Sequence, residues 1–440
     1  MNRLVAHLVR VFIRWMPDAF AVAILLTLLT VVLAVVVADY PLKSAVEAWG
    51  DGFWNLLTFT NQISLTLLFG YAFANTPPVR RGLLRIAGLV TSAPMAYGLA
   101  CFITGVLALF SWGLSLVAAG IMARAVGEAC LRKGIRVHYP LLVASSFSGF
   151  VIWHQGLTSS VGLAIATPGN FLEEQIGLIA TSQTVFTPWN IAVALFVLFT
   201  LPLVMASLRP ADEDIEEMNV PQDVVPQERE NTEVTPARFL ERSPAVSLPI
   251  VAMGLFFLGV HFFARDKGLE LNILNFAFLI AGLALAGSAV KYAEVIADGG
   301  RVVAPFLLQY PFYAGIAGLM GDSGLARMVV EAFVSISIPT TLPVFAFLSG
   351  GLLNIFIPSG GGQWAVQGPI MMAAAQEVGA DLPRVAMGVA LGDQWTNLIQ
   401  PLVLMPVLMI ARIGAREIMG YTFVALFWTG AVFSLSLLLF

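Results

Sequence analysis

Apolar positions along this chain run on for about twenty residues at a time without alternating with polar ones, so they predict helices that are apolar on every face. Such runs fall near 18–38, 53–74, 141–166, 187–206, 245–263, 271–290, 302–320, 385–410 and 418–440. Each is about the length that a bilayer crossing needs. Two further stretches, 95–123 and 343–375, are longer and broken in the middle, the first at Ser111-Trp112-Gly113-Leu114-Ser115 and the second at Pro358-Ser359-Gly360-Gly361-Gly362. A chain that turns back at such a break forms a re-entrant hairpin, and one that continues forms a single kinked span. The second break sits in a segment, Asn354 to Pro369, that holds everything a membrane helix avoids, including three consecutive glycines, two prolines, Ser359, Gln363 and Gln367. Unpaired backbone amides in hydrocarbon cost several kcal/mol each, so such a segment survives only where protein buries it or where it lines a watery cavity.

Composition agrees with the pattern. Of the 440 residues 58% are hydrophobic and 11% charged, with a mean hydropathy of +0.85, against roughly 25% charged in a soluble domain. The chain reads as an all-α polytopic membrane protein in contact with the lipid bilayer. A net charge of −4, with its cations in short clusters between apolar runs, argues against a nucleic-acid partner. Cys101 and Cys130 stand without a CxxC pair or a His/Cys cluster, so neither a disulfide framework nor a structural metal is implied. Arg3, Arg10 and Arg14 precede an apolar run from Asp18 to Val37 that reads as a retained first span, because no small-residue cleavage site follows it.

Charge separates the two readings of the broken stretches, since cytoplasmic loops collect Lys and Arg. With both taken as hairpins, only Lys43, Arg265, Lys267, Arg327 and Arg384 of the 23 Lys and Arg lie outside, and the other eighteen are cytoplasmic. A single crossing at 95–123 would instead throw Arg124, Arg132, Lys133 and Arg136 outside. The expectation is therefore nine spans and two hairpins, N-terminus cytoplasmic and C-terminus outside. The segment 209–244, with ten Asp and Glu from Asp212 to Glu241 and several prolines, reads as an acidic cytoplasmic linker, at least partly disordered. It separates an N-terminal transmembrane repeat, 1–208, from a C-terminal one, 245–440. Gly50-Asp51-Gly52 is echoed by Asp298-Gly299-Gly300, Tyr139-Pro140 leading to Gly149 and Trp153 by Leu382-Pro383 leading to Gly392 and Trp395, and Gly120 by Gly368. The echoes keep a spacing of 242 to 248 residues, and paired elements cross in opposite directions. Two inverted-topology repeats follow, each with a re-entrant hairpin and a discontinuous helix, the architecture of secondary transporters.

Such carriers hold their cargo near the midplane, where helix ends point at it. Four polar breaks qualify: Ser111 to Ser115, His154 to Ser160, Ser359 to Gln367, and Gly392 to Asn397 with Gln400-Pro401. The candidate substrate residues are Ser111, Trp112, Gly113, Ser359, Gly360, Gly361, Gly362, Gln363, Trp364, Gln367, Gln394 and Trp395. Glycines admit a ligand close to the backbone, and a helix N-terminus favours an anion. A glycine-rich packing surface between helices is the alternative. Asp393, a carboxylate inside an apolar run, must be protonated, paired or bound to a cation. With Thr396, Asn397, Gln400 and His154 it forms a candidate coupling site for Na+ or H+. The alternatives are an Asp393 that only hydrogen-bonds an unwound helix and a His154 that is buried and neutral. None of the breaks holds Arg or Lys, which suits one negative charge on a small monoanion with an apolar tail. No resident cofactor is implied.

At Trp49-Gly50-Asp51-Gly52-Phe53-Trp54-Asn55-Leu56-Leu57, Ala166-Thr167-Pro168-Gly169-Asn170, Gln309-Tyr310-Pro311-Phe312-Tyr313-Ala314-Gly315-Ile316, Pro358-Ser359-Gly360-Gly361-Gly362 and Gly392-Asp393-Gln394-Trp395, the chain resembles the bacterial short-chain fatty acid transporter family, almost end to end. The resemblance implies the wider ion-transporter superfamily of inverted repeats and multi-pass insertion in the bacterial cytoplasmic (inner) membrane. It implies symport of short monocarboxylates such as acetoacetate or butyrate with a cation, by alternating access. It also supports Ser359 to Gly362, Trp364, Gln367, Asp393, Gln394, Trp395 and Asn397 as site residues. A carrier for another small organic anion such as a dicarboxylate, an uncoupled facilitator, and a homo-oligomeric state stay open. An intramembrane enzyme is disfavoured, because no Ser/His/Asp spacing, paired-aspartate helix motif or HExxH occurs.

Overall fold

The computed structural model describes residues 10–11, 14–15, 17, 19–170, 172–218, 235–265 and 271–439. Among them there is no strand. The first half runs α1 (Ala19–Val36), α2 (Leu42–Gly52), α3 (Leu57–Ala74), α4 (Pro77–Ala87), α5 (Ala93–Phe110), α6 (Trp112–Lys133), α7 (Tyr139–Ser148), a 3-10 segment Gly149–Gln155, α8 (Ser160–Ala166), α9 (Glu173–Ile176) and α10 (Pro188–Ser207). The second half runs α11 (Pro236–Arg242), α12 (Pro244–Gly259), α13 (Leu271–Ala286), α14 (Ala289–Asp322), α15 (Leu325–Val334), α16 (Leu342–Phe356), α17 (Gly360–Val378), α18 (Leu382–Thr396), a 3-10 turn Asn397–Ile399, α19 (Pro401–Ala411) and α20 (Ala415–Leu439). The apolar runs of the sequence fall on these helices, with 141–166 divided between α7, the 3-10 segment and α8, and 385–410 between α18 and α19. The 302–320 run is part of a helix of 34 residues. Its first turns carry Lys291, Glu294 and Asp298, which hide them from a hydropathy reading, while Ser288 caps the start by accepting from Lys291 N at 3.3 Å.

Among the described residues five helices are long and apolar enough to cross a bilayer, and six if the pair Leu382–Ile399 and Pro401–Ala411, bent by 47°, counts as one span. With the shorter apolar helices Phe20–Val36, Asn272–Ala286 and Leu342–Phe356, this is a multi-pass membrane protein. The arms of the first broken stretch, α5 and α6, are each long enough to cross. A hairpin returns the chain to its starting side whether or not its arms cross fully, so the charge distribution is the same for either.

Both broken stretches fold back on themselves. Ser115 Oγ donates to Thr104 O at 2.9 Å, a pair that a continuous helix would hold on the order of 16 Å apart. Across the second stretch Gln363 Nε2 donates to Gly350 O at 2.9 Å, and Gln367 Nε2 to Ser349 Oγ at 3.0 Å. The tips share their chemistry. Ser111 caps α6 by accepting from Leu114 N, and Ser359 caps α17 by accepting from Gly362 N.

Each hairpin is packed against the discontinuous helix of its own half through a glycine. A Cβ on Gly149 would sit 2.1 Å from Cys101 O and 2.7 Å from Gly105 N, and one on Gly392 2.2 Å from Phe347 O and 2.8 Å from Gly351 N. Gly392→Ala therefore forces two backbones apart, which costs about 1–3 kcal/mol or more. The expected result is a lower melting temperature in detergent, and a variant that melts with the wild type would mean that α16 shifts freely.

The middle of the acidic linker, residues 219–234, lies outside the described residues. Its start is docked on α6 and α7: Tyr139 N donates to Glu216 O at 2.8 Å, Glu216 N to His138 Nδ1 at 3.0 Å, and Met218 is buried beside Gly127. Burial pushes the His138 pKa down to about 4 against the opposing pull of Asp214, so at neutral pH its Nδ1 is free to accept.

Candidate functional site

The hairpin tips and the breaks in the discontinuous helices meet around a cavity of about 450 Å³. One wall is the start of α17: Pro358, Ser359 and Gly360 to Gly362 all line it. In the first turn of a helix the N–H groups have no intrahelical acceptor. Gly362 N is taken by the Ser359 hydroxyl, which leaves the amides of Gly360 and Gly361 to what the cavity holds. The first tip differs, because Trp112 N donates to Thr158 Oγ1 at 3.1 Å. The helix N-terminus at the first tip is thus capped by protein, whereas the one at the second opens on the cavity.

Leu56, Trp112, Leu116, Phe150, Trp153, Leu402, Val403 and Pro406 make the apolar wall. Trp153 stacks on Phe150 at 5.9 Å and meets Trp112 at 6.2 Å. Gln62, Ser160, Tyr310, Ser359, Asp393 and Asn397 supply the side-chain polarity, and no Lys or Arg is among the described residues that line the cavity.

Asp393 is 2% exposed and comes from the end of α18. Its Oδ2 lies 3.1 Å from Nε2 of the fully buried His154, and its Oδ1 has no hydrogen-bond partner among the described residues. His154 Nδ1 lies 3.2 Å from Ser159 Oγ, which also accepts from Gly162 N as the cap of α8. With the hydroxyl donating to Nδ1, Nε2 carries the hydrogen that Asp393 accepts. The pair joins the halves of the chain, and amides brace it. His154 N donates to Gln394 Oε1 at 2.8 Å, Gln394 Nε2 to Gln155 Oε1 at 3.3 Å, and Asn397 Nδ2 to Asp393 O at 2.6 Å. Asn354 Nδ2 bonds Asp393 O and Thr396 Oγ1, both at 2.9 Å, while its buried Oδ1 has no partner among the described residues. Ser159, His154 and Asp393 thus stand in a row that no sequence spacing announces. The Ser159 hydroxyl is fully buried and committed as a helix cap, so the row is not a hydrolase triad.

The model of the short-chain fatty acid transporter family matches residues 1–440. The chain belongs to that family. Two proteins provisionally named short-chain fatty acid transporters are similar to it: one from Escherichia coli (strain K12), 36% identical over the whole of both chains, and one from Haemophilus influenzae (strain ATCC 51907 / DSM 11121 / KW20 / Rd), 33% identical over 96% of each. Among solved structures it bears a looser likeness to the Alcanivorax borkumensis YdaH transporter, at 15% identity and a TM-score of 0.45 over 96% of this chain and 98% of that one. Neisseria gonorrhoeae MtrF is similar at 14% identity and a TM-score of 0.40 over 98% and 97%. The family and the named relatives are transporters, not enzymes.

Of the transporter's candidate residues, Trp112, Ser359, Gly360, Gly361, Gly362, Asp393 and Asn397 line the cavity. The others lie behind it. Gln363 and Gln367 zip α17 to α16, and Trp364 is buried beneath Gly368. Ser111 caps α6, and Gly113 abuts Thr66 and Leu274. Trp395 donates to Leu426 O at 2.7 Å beside Gly351 and Gly430. Thr396 donates to Gly351 O, while Gln400 caps α19 and donates to Ile355 O at 3.2 Å. Sequence reasoning passed over Leu56, Gln62, Leu116, Phe150, Leu402, Val403 and Pro406. Only Gln62, an amide inside an apolar run, carried a signal.

Proposed function

We propose that the chain carries a short-chain monocarboxylate such as acetoacetate or butyrate across the bacterial cytoplasmic membrane in symport with a cation, Na+ or H+, by alternating access. One observation carries the reading: an open helix N-terminus and a buried carboxylate share an apolar cavity that, among the described residues, no Lys or Arg lines. The Gly360 and Gly361 amides accept one negative charge, and the Trp112, Phe150 and Trp153 wall takes the apolar tail. A dicarboxylate would leave its second charge among leucines and tryptophans. Asp393 supplies the reason for coupling. Two like charges on the order of 5 Å apart repel by roughly 3 kcal/mol at an effective dielectric of about 20. A cargo anion therefore enters well only when Asp393 is neutralised. A proton on the His154–Asp393 pair does this, and so does Na+ among the oxygens of Asp393, Asn354 and their neighbours.

In this reading residues 1–208 and 245–440 are inverted repeats joined by the acidic linker 209–244, each with a re-entrant hairpin. The nearly identical glycine contacts of Gly149 and Gly392 support it. Residues 75–94, 124–139 and 209–244 face the cytoplasm, as does the N-terminus, while 168–184 and 376–383 face outside. Single-cysteine labelling from each side tests the arrangement, and an externally accessible 124–139 loop overturns it. The function is tested in proteoliposomes with labelled acids from acetate to hexanoate and with Na+ and proton gradients imposed separately. Accumulation of at least one acid under one gradient is expected. Uptake that ignores both gradients would make the protein an uncoupled facilitator.

A further inference from the structure

Behind α19 lies a second cavity, of about 380 Å³. Val403 and Pro406 of this helix face the central cavity, whereas Met405, Leu408 and Met409 face the second. The neighbours Tyr310 and Gln309 on α14 divide in the same way. One helix therefore separates the two spaces. It opens at the 47° break with Pro401 and carries Pro406 in its interior.

The second cavity is amphiphilic. Pro17, Met405, Leu408, Met409 and Ile413 form its apolar side, and the first turn of α20 closes it with Gly414, Ala415, Arg416 and Glu417. Gln309 is 4% exposed, and its Oε1 has no hydrogen-bond partner among the described residues. A buried amide oxygen without a partner is a standing penalty that a ligand relieves. Arg416 is exposed. Glu417 Oε1 accepts from Gly414 N at 2.9 Å, which leaves the guanidinium as the group that meets an arriving anion.

We infer that this cavity is a second binding site for the transported monocarboxylate, a vestibule on the far side of α19 from the central site. The Arg416 guanidinium and the backbone amides of Ala415 and Arg416 hold the carboxylate. The Gln309 amide accepts the O–H of the protonated acid or, turned over, donates Nε2 to the anion. The methionines adapt to tails of different length. Arg10, Arg14, Arg412 and Arg416 belong to the cationic loops assigned to the cytoplasm, so the vestibule opens to that side. The inference rests on the monocarboxylate reading above.

Equilibrium binding of labelled butyrate, with the other acids from acetate to hexanoate, to the purified full-length protein tests it. Two sites per chain are expected. Gly361→Val removes the central one, while Gln309→Leu and Arg416→Gln each remove the other. Arg416→Gln lies at the surface and folds even if Gln309→Leu does not. In vesicles of defined orientation Arg416→Gln raises the KM for acid presented on the cytoplasmic face about tenfold and leaves the opposite face unchanged. One site per chain, lost in Gly361→Val and unaltered by the other two changes, overturns the vestibule and leaves the transporter reading intact. Wild-type protein that binds none of the acids overturns both.

Discussion

Gly361→Val protein inserts and folds normally but moves no substrate; that is the expected result. A Cβ built on Gly361 meets nothing within 4 Å, so a side chain starts there in open space rather than against protein atoms. The space it enters is the cavity. There it stands over the first-turn amides of α17, and the carboxylate cannot approach them. Two charge-assisted hydrogen bonds at roughly 1.5–3 kcal/mol each correspond to at least about a hundredfold in affinity. Counterflow of labelled substrate measures the loss, and an unchanged melting temperature shows that the fold is intact. The neighbouring glycine gives a contrast. A Cβ on Gly360 would lie 2.9 Å from His154 Nε2 and 3.2 Å from Ser160 Oγ, so Gly360→Ala disturbs the His154–Asp393 pair instead of filling the site. Normal uptake by correctly folded Gly361→Val protein would remove the start of α17 from the site.

Much of the scaffold was legible because membrane helices announce themselves by length and breaks by residue type. The Ser111 and Ser359 tips, the Gly149 and Gly392 counterparts and the break before Pro401 all lie where the pattern put them. What stayed hidden depends on rotation about a helix axis. Gln363 and Gln367 look like ligands in sequence, yet they stand four residues apart on the face of α17 that meets α16, and their amides bond Gly350 O and Ser349 Oγ. The three glycines before them face the cavity. No spacing rule distinguishes an amide that seals a hairpin from one that binds a cargo, since both are polar residues in an apolar run. The His154–Asp393 contact was equally out of reach, because it joins residues 239 positions apart through the packing of both halves. The charged start of α14 was missed for a third reason: Lys291, Glu294 and Asp298 lower the hydropathy of its first turns, although the helix runs on through them.

Replacing Asp393 by Asn should abolish accumulation against a gradient while retaining part of the exchange of substrate down its own gradient. The change keeps the shape of the side chain and leaves an amide oxygen to accept from His154 Nε2, so the bracing by Gln394, Asn397 and Asn354 survives. What disappears is the ionisable group. In the proposed mechanism a charged Asp393 repels the cargo carboxylate, and only the state neutralised by a cation takes it in; that exclusion would tie one flux to the other. In the variant the site is permanently neutral, and cargo enters and leaves without a cation. An anion entering alone also works against a negative interior potential worth roughly 2.3 kcal/mol per charge per 100 mV, so net accumulation stops where that of an uncoupled anion would. The measurement compares gradient-driven uptake with exchange in the same proteoliposomes. His154→Gln separates the two candidate cations. If a proton shared by the pair does the coupling, His154→Gln abolishes the response to a proton gradient. If Na+ does, that variant still accumulates substrate under a Na+ gradient, because the oxygens of Asp393 and Asn354 remain. An Asp393→Asn protein that accumulates substrate at the wild-type level would make the carboxylate a structural partner of the unwound helix and send the search for the coupling group elsewhere.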